Sequence, residues 1–239
     1  MKKNKILVTG GSGRFGKILK KQNFKDYIFP SKKELDITNI KSINNFVSKT
    51  KPKIIIHLAG LSRPVQLHES NSIESINLNI IGTSNLVMVC KKYNIKFVYF
   101  STNYVYPGTK GNYKETDPVL PFNNYGWSKL GGESAVHMYK NSLILRICMT
   151  EKPFIHRNAL SDVYFNFIFQ EEVAKIIPQL IRLKGVLNVG GPISTIYSFA
   201  KKHNSNVKKI SLKKIKTIVF KKNMSMNVKK FNKIYKKKI

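Results

Sequence analysis

Directly after a short apolar run, Lys5-Ile6-Leu7-Val8-Thr9, the chain places four glycines within seven residues, Gly10-Gly11-Ser12-Gly13-Arg14-Phe15-Gly16. Apolar side chains then recur at helical spacing through Phe15, Ile18 and Leu19. Strand, glycine turn and helix in that order open a βαβ unit, and few other folds accept them. Gly10, Gly13 and Gly16 give GxxGxxG, while Gly11, Gly13 and Gly16 satisfy GxGxxG. Without side chains the backbone can turn tightly and lie close to a pyrophosphate, which rests on the amides opening the helix.

The rest of the chain alternates in the same way. Strands are predicted at 27–29, 53–58, 96–101, 143–147 and 186–189. Helices are predicted from a Thr38 cap to about 49, and at 72–92, 125–140, 171–183 and 196–202. The run Lys53–Leu58 is apolar on both faces, as a central parallel strand requires. Such alternation implies an α/β fold, a Rossmann-like doubly wound parallel sheet. Residues 1–150 are expected to form the nucleotide-binding domain. Residues 151–239 are expected to form a reduced substrate-binding region interleaved with the last strand and helices. The Lys-rich end from Val207 is not low-complexity, because Ile210, Leu212, Ile215, Ile218, Val219 and Phe220 interrupt it.

No run approaches the ~18–20 apolar residues of a membrane span, and Met1–Lys5 does not open a secretory signal. Cys90 and Cys148 have neither CxxC nor metal spacing and read as core thiols of a reducing compartment. A cytoplasmic protein without membrane partners is the expectation. Net charge is +31, yet only five of the 43 basic residues are Arg. Arg is the residue that phosphates and base edges recruit, so diffuse Lys enrichment implies solvated faces and no specific nucleic acid. The positive field still favours anionic ligands.

Strand-two chemistry bears on the cofactor. An acidic residue about 20 positions beyond the glycines would bind the ribose 2′-hydroxyl of NAD. Here Phe29-Pro30-Ser31-Lys32-Lys33 carries no carboxylate before Glu34. A hydroxyl and ammonium groups at Ser31 and Lys32 suit a 2′-phosphate, so NADP(H) is preferred and NAD(H) is the second choice.

A catalytic pair is suggested by Tyr125-Gly126-Trp127-Ser128-Lys129, where i,i+4 spacing puts Tyr125 and Lys129 on one helix face. The pattern alone is weak: about 1.7 such pairs arise by chance in a chain so rich in Lys, and Tyr106/Lys110 and Tyr197/Lys201 also match. Position selects Tyr125, which opens a helix after the strand ending in Ser101-Thr102, at the carboxyl edge where open α/β sheets bind ligands. Tyr106 and Tyr197 are expected to tolerate Phe.

Taken with Leu35-Asp36-Ile37-Thr38, His57-Leu58-Ala59-Gly60, Asn77 through Gly82-Thr83-Ser84-Asn85-Leu86, Ser101-Thr102-Asn103-Tyr104-Val105-Tyr106-Pro107-Gly108, Gly132-Glu133, Leu145-Arg146 and Asn188-Val189-Gly190-Gly191-Pro192, these motifs run through most of the chain in order. The chain resembles an extended short-chain dehydrogenase/reductase, closest to the dTDP-4-dehydrorhamnose reductase family. That resemblance implies reduction of a nucleotide-activated 4-keto-6-deoxy sugar, with a homodimer as one assembly. Gly10, Ser12, Gly13, Arg14, Phe15, Gly16, Ala59 and Gly60 would line the cofactor, and Asp36 and Ile37 would flank its adenine. Thr102 would hydrogen-bond the substrate carbonyl, Tyr125 would donate the proton, and Lys129 would hold the nicotinamide ribose. A free Tyr, with a pKa near ~10, needs an adjacent cation, assigned to Lys129 and the oxidised nicotinamide. Asn103 stands where the family commonly has Asp, and only about a dozen residues separate the fifth strand from Asp162.

Asn103 and Trp127 are candidate substrate contacts, although Trp127 can equally pack into a neighbour. No metal site is expected, because His57, His68, His137, His156 and His203 are scattered and His57 reads as a strand-end core residue. Glu171 and Glu172 read as first-turn residues offsetting a helix dipole. Two rival readings stay open: an epimerase or dehydratase of the same superfamily, and a catalytically idle NADP-binding regulatory subunit.

Overall fold

The computed structural model describes residues 5–215 and 221–235; Ile218, Val219 and Phe220 lie outside them. In chain order the strands are β1 (Ile6–Thr9), β2 (Tyr27–Ile28), β3 (Ile54–His57), β4 (Lys96–Thr102) and β5 (Ser142–Ile147). Short pieces follow at β6 (Met149–Thr150), β7 (Asn158–Leu160), β8 (Tyr164–Phe165) and β9 (Ile168–Phe169), then β10 (Gly185–Val189), β11 (Ser194–Thr195) and β12 (Lys208–Ile210). The helices are α1 (Arg14–Lys20), α2 (Ile40–Thr50), α3 (Gln66–Ser70), α4 (Ser72–Ser75), α5 (Gly82–Tyr93), α6 (Asn124–His137), α7 (Gln170–Leu180), α8 (Ile196–His203) and α9 (Lys229–Tyr235).

Six strands form one parallel sheet in the order β10-β5-β4-β3-β1-β2. The chain runs outward from β1 to β2, then returns past it to β3, which creates a crevice at the carboxyl ends of β1 and β3. Alternation along the strands divides the core. Leu7, Ile55, Phe97, Tyr99 and Ile144 pack with Ile43, Val47 and Leu86 on one face. Val8, Ile56, Val98, Phe100, Leu145 and Ile147 pack with Phe15, Leu19, Val173 and Ile177 on the other. Every central strand is therefore buried on both sides, as its composition requires.

Three expectations are corrected. Asn39, not Thr38, caps α2: its Oδ1 accepts from Lys41 N at 3.0 Å and Ser42 N at 3.2 Å, while Thr38 turns its N and Oγ1 to Asp36. The helix predicted at 72–92 is interrupted by a π-helical stretch, Ile76–Ile81, between α4 and α5. By length and composition Ser72–Tyr93 is also long and apolar enough to match a membrane span, yet half of that window is buried within the fold, with Asn79, Thr83 and Asn85 among its buried residues.

The Lys-rich end is part of the core. Met224 and Met226 are fully buried and Phe231 nearly so. Tyr113 N donates to Ser225 O at 3.1 Å, Asn227 N to Tyr113 O at 2.7 Å, and Asn166 Nδ2 to Met226 O at 2.8 Å. Lys222, Lys229, Lys230 and Lys233, which flank these anchored positions, are exposed.

Candidate active site

At the end of β1 the backbone turns through Gly10 at φ +74°, a left-handed conformation that a side chain resists. A Cβ there would press into the backbone of Leu58 and Ala59, and one at Gly16 into the Gly10 carbonyl and Gly11. Gly13 N donates to Gly10 O at 3.0 Å and closes the loop. The absent side chains leave a flat cradle that fits a dinucleotide's pyrophosphate, with Ser12, Arg14 and Phe15 along it. Behind it His57 is buried. Its Nδ1 lies 2.8 Å from Thr9 Oγ1 and its Nε2 3.1 Å from Thr83 Oγ1, joining β1, β3 and α5. Burial, reinforced by the charge of Lys129, pushes the imidazole down to about 3, so it is neutral at physiological pH.

Across the crevice α6 begins at Asn124, capped by Asn123 Oδ1, which accepts from Gly126 N at 2.8 Å. Tyr125 therefore sits in the first turn and Lys129 one turn deeper. Lys129 is buried with Nζ 4.2 Å from the centre of the Tyr99 ring. Desolvation lowers its ammonium to about 7, and the attraction of Glu133 offsets this only in part. Burial raises Tyr125 above its ordinary value, while the Thr102 hydroxyl, Arg63 and Arg14 pull it back. The cations acting on Tyr125 in the free protein are thus two arginines. Thr102, at the end of β4, accepts from Tyr104 N at 3.3 Å.

One cleft of ≈ 820 Å³ is lined by Gly10, Ser12, Gly13, Arg14, Phe15, Gly16, Ala59, Gly60, Thr102, Asn103, Tyr125 and Lys129. Asn103 is already engaged, since its Nδ2 donates to Met224 O at 3.1 Å and ties β4 to the carboxyl-terminal segment. Ser31, Lys32, Asp36, Ile37 and Trp127 do not line this cleft. Ser31 donates through N and Oγ to Glu34 Oε2 at 2.7 and 2.8 Å, so a carboxylate folds back onto the end of β2. Asp36 Oδ1 accepts from Thr38, which lowers its pKa. Ile37 is buried, and a Cβ on Gly82 would collide with it. Trp127 is 48% exposed on the outer face of α6. No cluster of metal-ligating side chains occurs among the described residues.

Sequence reasoning missed three residues. Asn79, buried in the π-helical stretch, accepts from Leu61 N at 2.8 Å, donates to Leu61 O at 2.8 Å and to Ser128 Oγ at 2.9 Å. It fastens the loop after β3 to α6. An Asn within an apolar helix was its only signal, and π-helical turns often accompany functional sites. Arg63 and Glu151, paired at 2.9 Å, are 88 residues apart and carried no local signal. Tyr106 is also more than a chance match: its hydroxyl donates to Asn188 Oδ1 at 2.9 Å and accepts from Arg146 Nη1 at 2.9 Å, so tolerance of Phe is no longer expected.

The family model described as the RmlD substrate binding domain matches residues 4–151. A dTDP-4-dehydrorhamnose reductase of Burkholderia thailandensis is 34% identical over 135 residues, 55% of this chain and 45% of that protein. The methionine adenosyltransferase 2 subunit beta of Xenopus tropicalis is 28% identical over 155 residues, 60% of this chain and 46% of that protein. The chain spans about half the length of the curated relatives it matches. The crystal structure of the Bacillus anthracis dTDP-4-dehydrorhamnose reductase in complex with NADP superposes with a TM-score of 0.86 at 25% identity, covering 96% of this chain and 92% of that one. With more than half of its length matched by that model, the chain belongs to the RmlD substrate binding domain family.

Proposed function

We propose that the protein is an NADPH-preferring reductase of a nucleotide-activated 4-keto-6-deoxy sugar. The observation that carries this reading is the convergence of Thr102, Tyr125 and Lys129 on one cleft with the glycine cradle. Residues 1–150 hold the cofactor in this reading, and residues 151–239 contribute the wall facing the sugar nucleotide. When bound, NADPH would supply the hydride that reduces the carbonyl carbon.

The chain's own residues supply placement and a proton. Tyr125 is protonated at neutral pH like any tyrosine, the state a general acid needs, and burial reinforces it. The Thr102 hydroxyl beside it can orient the substrate carbonyl, and its interaction favours the phenolate left after proton transfer. Lys129, lowered to about 7, exchanges protons near neutrality and can hold the cofactor's ribose while helping to reprotonate Tyr125. The Asn79 bridge between Leu61 and Ser128 keeps the two sides of the cleft in register. The NADP in the Bacillus anthracis relative supports this cofactor, and the reductases of Burkholderia thailandensis and Aggregatibacter actinomycetemcomitans support the substrate class.

The test is to incubate the protein with NADPH and a panel of nucleotide 4-keto sugars and follow the nicotinamide absorbance. Oxidation of NADPH by one of them is the expected result. The similarity to methionine adenosyltransferase 2 subunit beta favours a second reading, a cofactor-binding subunit of another enzyme. NADPH binding without turnover on any sugar would select it.

A further inference from the structure

Glu151, just beyond β6, reaches two arginines from distant parts of the chain. Arg63 Nη1 donates to its Oε1 at 2.9 Å and its Oε2 at 3.1 Å, and Arg14 Nη1 lies 3.5 Å from Oε1. Arg14 belongs to the glycine-rich turn and Arg63 to the loop after β3, and both line the cleft. Neither guanidinium has another acceptor among the described residues. Each has five N–H donors, so most of these donors have no protein partner among the described residues. The arginine side chains are 50% and 38% exposed, against 17% for Glu151. No Asp or Glu is among the described residues lining the cleft, so this carboxylate at its margin offsets a positive field.

We propose that Arg14 and Arg63 form a diphosphate-binding subsite at the mouth of the cleft, and that Glu151 occupies it until the anionic ligand arrives. A carboxylate and a phosphate present similar paired oxygens to a guanidinium fork, which explains why one can stand in for the other. A diphosphate carries more charge and more acceptor oxygens than Glu151, so it meets donors that the carboxylate leaves unpaired. Glu151 then sets affinity by competition, and Arg63 is a binding residue supplied from outside the glycine turn. The subsite rests on the nucleotide reading of the cleft, and the diphosphate can belong to the cofactor or to the sugar nucleotide.

Calorimetry at low salt on the wild type, Glu151→Gln and Arg63→Gln tests this with three probes: inorganic pyrophosphate, NADPH, and UDP added to NADPH-saturated protein. Unchanged melting temperatures establish that the variants fold. Glu151→Gln should tighten pyrophosphate ~3–10-fold and Arg63→Gln should weaken it similarly, the size of a partly exposed charge contact. The same opposite shifts for NADPH assign the subsite to the cofactor, and for UDP to the sugar nucleotide. Opposite shifts for pyrophosphate with no binding of NADPH or UDP would keep the subsite and discard the nucleotide reading. Weakening by both variants would mean the pair is only a brace, and that result, or no pyrophosphate binding, overturns the proposal.

Discussion

Glu133 lies one helical turn beyond Lys129, but its carboxylate is bound to Arg146. Arg146 Nη2 donates to Oε2 at 2.8 Å and Nε to Oε1 at 3.1 Å, both side chains buried, and the Ser101 hydroxyl donates to the same carboxylate. Lys129 therefore feels Glu133 without owning it, which is why burial governs its pKa. Glu133→Gln leaves Arg146 charged and buried opposite a neutral amide. A loss of about 3–5 kcal/mol in unfolding free energy is expected, as for breaking one side of a buried ion pair. Urea denaturation measures it, and a loss below about 1 kcal/mol would show that water already compensates Arg146.

Tyr125→Phe removes a hydroxyl and keeps the ring that packs at 5.0 Å from His68 and 5.6 Å from Tyr104. Turnover should fall ~10²–10⁴-fold with NADPH affinity nearly unchanged. Thr102→Val should also lower turnover with little effect on NADPH. Tyr106→Phe should instead cost about 1–3 kcal/mol of stability, because it strips a partner from Arg146 and Asn188. Tyr197→Phe is the silent comparison. Full activity in Tyr125→Phe would remove that tyrosine from the chemistry.

Lys129 gives a stability prediction with a definite sign. Its folded value, about 7, lies below the ~10.4 of an unfolded lysine, so between these limits the unfolded chain binds more protons. Stability should rise with pH across that window and be lowest below it. Lys129→Met removes the cost of burying the charge. It should stabilise the fold at pH 7 by on the order of 3 kcal/mol, flatten the pH dependence, and abolish turnover while weakening NADPH. Thermal unfolding from pH 6 to 10 checks this, and a destabilised Met variant would mean the ammonium is favourably solvated.

At the end of β2, Lys32→Glu should reverse the proposed preference for NADPH over NADH. Glu34→Gln removes the negative charge that now holds the Ser31 hydroxyl and backbone N–H. That variant should strengthen NADPH relative to NADH by a few-fold in low salt, where charge acts most strongly. Binding titrations with both cofactors decide it, and an unchanged ratio in both variants would place selectivity elsewhere.

Local sequence determined the alternation that builds the parallel sheet, the glycine turn after β1 and the helix that carries Tyr125 and Lys129 one turn apart, because each depends on spacings of a few residues that backbone geometry makes legible. Apolar runs at 54–56 and 97–100 could be little else than central strands, and a strand followed by Gly10, Gly13 and Gly16 permits few turns. Tertiary structure alone decided the rest. Arg63 meets Glu151 across 88 residues, Asn103 meets Met224 across 121, and Tyr106 meets Asn188 across 82. Such partners are chosen by which chain ends the folded sheet brings to one edge, and no local periodicity encodes them. Charge state followed the same division: Lys129 and His57 are ordinary titrating residues in the sequence, and the fold moved one to about 7 and the other to about 3, chiefly by removing them from water.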